Sequence, residues 1–150
     1  MSALFVLPRV YLGLIFAVSV YAKLTAPGGF APRMSGFLSQ VALQNGFPWY
    51  ADFVRSTVLP HAGVFSTLVI AGEVTVAISL LLGLATRAGA ALAILLLLNY
   101  ASAKGMLPWS PASNDWADIV LALLVIASAA GRTFGLDALL AARYPRAILW

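Results

Sequence analysis

The sequence predicts an all-α integral membrane protein, a four-helix bundle with an interfacial amphipathic segment between helices 1 and 2 and a C-terminal surface helix. Of its 150 residues, 62% are hydrophobic and 9% charged, far below the ~25% charged residues of soluble domains. Mean hydropathy is +0.96. Four apolar stretches, at about residues 4–24, 62–84, 88–103 and 116–130, suit helices that cross ~30 Å of hydrocarbon. The last two are short, so their helices should run beyond the apolar core at each end. A single domain over residues 1–150 follows.

The first stretch holds Arg9 near its start and Lys23 near its end, and Pro27, Gly28 and Gly29 stop it. Val20, Tyr21 and Ala22 resemble a signal-peptide cleavage site, but no basic region precedes Arg9 and three further spans follow, so the segment is expected to stay as a span. The segment to Pro60 is too long for a plain connection. Within it Met34, Phe37, Leu38 and Val41 recur at helical spacing opposite Ser35, Ser39, Gln40 and Gln44, which predicts an amphipathic surface helix over 33–44. Asn45 and Gly46 would end it in a left-handed cap. Pro48 suits a first helical turn, followed by Trp49, Tyr50, Phe53 and Val54 as interfacial anchors. Such a segment either only covers the bundle or contacts a substrate.

Gly83 to Gly89 forms a tight connection that makes the second and third spans antiparallel neighbours. Gly89 and Ala93 have the spacing of a small-residue packing pair. Pro108, Trp109, Pro111 and Asn114 mark the turn back into the fourth span. Beyond Gly131 and Arg132, the residues Leu136, Asp137, Leu139, Leu140 and Arg143 predict a second surface helix, broken by Pro145, with Trp150 as an interfacial anchor.

Composition also excludes chemistry. Without cysteine there is no thiol redox centre, iron–sulfur ligation or disulfide. One histidine, His61, cannot supply a bis-His haem, and no metal site is predicted. The net charge of +4 is spread over nine single Lys and Arg residues, which suits anionic lipid and not nucleic acid. With both termini in the cytoplasm, Arg9, Arg87, Arg132, Arg143 and Arg146 lie inside, against Lys23, Arg33, Arg55 and Lys104 outside.

Arg9, Arg87 and Arg132 then mark one membrane edge. Counting twelve to fourteen residues from them along each span reaches Lys23, Glu73, Asn99 and Asp118, all about 18–21 Å above that edge at ~1.5 Å per residue. A carboxylate such as Glu73 at mid-span costs roughly 2.5–3.5 kcal/mol on insertion scales. Hydrocarbon penalises the lipid-facing rotamers, so the four side chains should face inward as a polar pocket opening outward. Its expected chemistry is an ion pair from Lys23 to Glu73, to Asp118 or to both, with Asn99 able to donate and accept. Tyr21, His61 and Tyr100 could extend a hydrogen-bond chain, although His61 beside Pro60 also reads as a solvated boundary residue. The bland alternative is a layer that only specifies how the helices pair.

The chain resembles the DoxX family of small four-helix bacterial membrane proteins. The similar elements are Arg9 with Leu12-Gly13-Leu14-Ile15-Phe16 and Lys23-Leu24; Gly46-Phe47-Pro48; Gly72-Glu73 with Leu80-Leu81-Leu82-Gly83-Leu84-Ala85-Thr86-Arg87; and Gly131-Arg132 with Gly135-Leu136-Asp137. Where family members often carry Glu near the start of the fourth span, this chain has Asp115 and Asp118. The resemblance implies a subunit of a redox complex in the bacterial cytoplasmic membrane, related to the small subunit of a thiosulfate:quinone oxidoreductase.

These readings give three candidate functions. In the first, the pocket holds a non-covalently bound quinone head group: Lys23, Asn99, His61 and Tyr100 bind it, and Glu73 and Asp118 act as acid–base groups. A partner protein in a larger complex supplies the electrons from a flavin, metal or thiol. The second is a non-catalytic anchor or accessory subunit of a membrane complex. The third, a small-solute or ion transporter, lacks the internal symmetry and broken helices expected of one.

Overall fold

The structure is a computed structural model that describes residues 2–110, 113–128 and 130–144. Its α-helices are α1 (Val6–Leu24), α2 (Phe30–Phe37), α3 (Leu43–Asn45), α4 (Pro48–Phe53), α5 (Ala62–Leu82), α6 (Thr86–Lys104), α7 (Asp115–Ser128) and α8 (Leu136–Arg143). Among the described residues three helical stretches are long and apolar enough to cross a membrane: Val6–Leu24, Pro48–Leu82 and Thr86–Lys104. The second is longer than the apolar run suggests, because α4 continues into α5 through a π-helical turn, Val54–Val58, and a 3-10 turn, Leu59–His61.

α1 packs against α5 and α7, and α6 against α5 and α7, so these four helices close a ring. The core between them holds Leu12, Phe16, Val76, Leu80, Leu97, Ile119 and Val125, with Ala90, Ala93 and Ala122 where backbones approach. Small residues allow that approach, since packing and not water exclusion holds helices together in lipid. Gly89 shows the limit: a Cβ there would stand 2.1 Å from Ser79 Oγ on α5.

The segment between α1 and α5 departs from a helix lying on the membrane. Its helix begins at Phe30, not Arg33, and passes through a π-helical turn at Leu38–Ala42 before α3. Met34, Leu38, Ala42, Tyr50, Val54 and Val58 form a second core with Ala103 of α6. Tyr50 and Val54 are therefore buried, not interfacial anchors; Trp49 and Phe53 are exposed. Gly46 is extended, not left-handed, with φ −63° and ψ 161°. Close packing selects it: a Cβ would stand 2.4 Å from the Ala42 carbonyl oxygen and 3.1 Å from that of Ala103. Pro48 does start a helix. Pro111, Pro145, Arg146 and Trp150 lie outside the described residues.

At the opposite, Arg9 end a lock joins the α5–α6 turn to α8. Gly83 and Ala85 are left-handed (φ 64° and 49°), which costs Ala85 roughly 1–2 kcal/mol. Asp137 offsets that cost. Its carboxylate accepts from the Ala85 and Thr86 backbone N–H groups at 2.6 and 2.9 Å, and its own N–H donates to the Gly83 carbonyl at 2.8 Å. Arg9, buried rather than at the lipid boundary, donates to the carbonyls of Phe134 (2.6 Å) and Ala130 (3.4 Å). α8 is thus a surface helix with one fully buried acidic residue that holds the turn in shape.

Candidate functional site

At the Lys23 end, α1, α5 and α6 bring four polar side chains together. Lys23 Nζ donates to Ser19 Oγ at 2.6 Å and to Glu73 Oε1 at 2.9 Å. Ser19 and Tyr100 hydroxyls donate to the same Oε1 at 3.0 and 2.7 Å. Glu73 Oε2 lies 2.8 Å from Nζ in the same ion pair but accepts no hydrogen bond. Glu73 is fully buried, and removing one partner of such a pair typically costs about 3–5 kcal/mol. Two of the three lysine N–H groups are taken, which leaves one donor. The Phe30 ring stands over the ammonium at 5.3 Å.

This cluster forms one wall of a cavity of about 870 Å³, near the top of the range for small-molecule sites, about 300–1,000 Å³. Lys23, Ser19 and Tyr100 line it, and Glu73 stands behind them. Asn99 lines it one residue away; its Oδ1 accepts from the Tyr50 hydroxyl at 2.7 Å. The Asn99 amide nitrogen has no partner among the described residues. The remaining walls are mainly apolar and aromatic, with Phe30, Phe37, Phe53 and Phe65 contributed by α2, α4 and α5. The segment after α1 therefore both covers the bundle and faces the cavity.

Of the sequence candidates, Lys23, Glu73 and Tyr100 come together, and Asn99, next to Tyr100 on α6, lines the same cavity. Asp118 does not. It is buried among α7 core residues, and its side chain has no hydrogen bond or ion pair among the described residues. Asp115 takes the ion pair at that end, with Lys104, which also donates to Ser113 at 3.1 Å. Lys23 thus pairs with Glu73 alone. His61 is exposed, contacts the Thr57 carbonyl at 3.0 Å and does not line the cavity. Tyr21 also points away, 69% exposed.

Two residues of the site escaped the sequence reading. Ser19 is one helical turn before Lys23, so the i, i+4 rule could have found it. Tyr50 gave no such signal, because its partner Asn99 is 49 positions away. Among the described residues no three His, Asp or Glu side chains group as metal ligands. What the arrangement offers chemically is a set of neutral and cationic donors, with Arg33 and Lys104 also on the lining, in a chamber whose remaining walls are mainly apolar.

No curated protein and no solved structure matches the chain. The DoxX family model matches residues 4–103, from just before α1 to the end of α6, and so includes the Lys23–Glu73–Tyr100 cluster and Asn99. α7 and α8 follow the matched region. The apolar helices and this match identify a membrane protein that belongs to the DoxX family.

Proposed function

We propose that the chain is a multi-pass subunit of a redox complex in the bacterial cytoplasmic membrane, and that its cavity binds a quinone head group. α7 serves as a fourth span: it packs along α1 and α6, and Val120, Leu123 and Leu124 are exposed on its outer face. An even number of spans puts both termini on one side, the cytoplasmic one by the arginines at the Arg9 end.

The observation that carries the reading is the pairing of donors with an aromatic chamber. A quinone presents two acceptor oxygens on a flat ring. The unused Asn99 amide N–H groups suit one oxygen, and the remaining Lys23 N–H suits the other. Phe30, Phe37 and Phe53 supply surfaces for the ring. Reduction adds two electrons, from a flavin, metal or thiol of a partner protein, and two protons. Lys23, held by Glu73, gives a proton to the nearer oxygen and takes one back from water that enters the cavity, and the oxygen held by Asn99 takes its proton from the same water. Glu73 has no direct contact with the ring in this scheme and acts through Lys23 and Tyr100.

The test is quinone turnover by the complex isolated in mild detergent with whatever partner accompanies the chain. Glu73→Gln, close in shape to the native side chain, leaves Lys23 without its carboxylate and should lower stability, and the complex that does assemble should lose turnover. Normal turnover in that variant would contradict the proposal and favour an accessory role.

A further inference from the structure

We infer that the cavity also receives an anionic phospholipid, with the phosphodiester at Arg33 and an acyl chain along the aromatic wall. The inference goes beyond the quinone reading and does not depend on it. On α2 and the residue after it, the side chains that line the cavity are Phe30, Arg33, Met34, Phe37 and Leu38, the i, i+3, i+4, i+7, i+8 stripe of a single helix face. Ala31, Pro32, Ser35 and Gly36 form the other face. The helix therefore carries its one charge within the apolar stripe on the cavity side, and not on the face made of small and polar residues. Met34 and Leu38 are buried while Arg33 and Phe37 are exposed, so the stripe runs from the second core out to the surface.

Charge selects the ligand. Lys23, Arg33 and Lys104 line the cavity, and among the described residues no Asp or Glu does. Lys23 is balanced by Glu73 behind it and Lys104 by Asp115; Arg33 has no ion pair or hydrogen bond among the described residues. Three cations against two carboxylates leave one positive charge over, which matches a phosphodiester head group that carries no ammonium. A zwitterionic head group would bring its ammonium against the cations and find no carboxylate on the lining to receive it. Depth agrees with a lipid. Lys23 is one residue from the end of α1 and Lys104 ends α6, the level at which the spans leave the hydrocarbon and lipid phosphates lie. A guanidinium holds a phosphate through two parallel hydrogen bonds. Phe37, one turn further along α2, lines the cavity and is exposed, so it offers apolar surface to the chain.

The test titrates the purified, delipidated protein in detergent with phosphatidylglycerol and with phosphatidylethanolamine of the same acyl chains, and counts bound lipid by native mass spectrometry. The wild type should hold phosphatidylglycerol about tenfold more tightly. Arg33→Gln should abolish that preference. Arg55→Gln removes the same charge from an exposed ion pair away from the cavity and should keep it. No preference in the wild type would overturn the inference, and so would an equal loss in both variants, which marks attraction by net charge alone. Ala22→Trp fills the cavity at an exposed lining position and leaves Arg33 in place, so it should lose tight phosphatidylglycerol binding. Binding that survives in this variant puts the lipid outside the cavity and overturns the inference. Should Ala22→Trp lose helical content, Phe37→Ala, a truncation at an exposed wall position, carries the same comparison. Glycerophosphoglycerol, the head group without its chains, should not compete at equal concentration; competition would show a site for a free anion and overturn the inference as well.

Discussion

Both ends of this helix ring bury charged side chains, and they do so in different ways. At the Arg9 end the partners are backbone groups: Asp137 accepts from two N–H groups of the α5–α6 turn, and Arg9 donates to carbonyls before α8. Glycines fit this lock because there is no room for more. A Cβ on Gly131 would stand 2.1 Å from both Asp137 Oδ2 and Thr86 Oγ1. At the Lys23 end the partners are side chains, and a cavity lies beside them. Charges that answer backbone groups hold a turn; charges that answer one another beside a chamber can also answer a ligand. Of the elements that resemble the DoxX family, the Thr86 and Gly131–Asp137 pieces belong to the lock, and Lys23 and Glu73 to the cavity.

The comparison can be broken from either side. The largest expected effect is at the lock, where Asp137→Ala strands two backbone N–H groups at roughly 1–3 kcal/mol each. Thermal unfolding in detergent should show a correspondingly large loss of stability, with quinone affinity of the surviving folded protein intact. Lys23→Met leaves Glu73 buried without its cation, at about 3–5 kcal/mol; here stability and binding should fall together. Tyr100→Phe removes one hydrogen bond to a charged group, about 1.5–3 kcal/mol, and should weaken turnover more than folding. His61→Ala, at an exposed residue away from the cavity, should change stability by no more than about 0.5 kcal/mol and leave turnover alone. A turnover defect in that variant would return His61 to the site.

Depth was legible in the sequence and rotation was not. Helical rise is fixed, so counting from Arg9 and Arg87 put Lys23 level with Glu73, and the two do meet. The same count placed Asp118 at that level, yet it is buried on α7 and makes no ion pair with Lys23 among the described residues. Long-range partners were also hidden. Tyr50 reads as an interfacial aromatic because nothing local names Asn99, and Asp137 reads only as part of a surface helix because the N–H groups it caps lie some fifty positions earlier. Gly46 suggested a left-handed cap, whereas contact with Ala42 and Ala103 is what excludes a side chain there.

The central claim is that the Lys23-end cavity is a binding site and not merely a space between helices. Asn99→Leu tests it most directly, set against Tyr50→Phe, because both lose the Tyr50–Asn99 hydrogen bond and only Asn99→Leu removes the amide N–H groups that would meet a ligand. Titrating Asn99→Leu in nanodiscs with a short-chain quinone, followed by quenching of tryptophan fluorescence, should show affinity about tenfold lower, as loss of a well-made hydrogen bond to a buried ligand implies, at unchanged helical content. Affinity equal to that of the wild type would contradict the account.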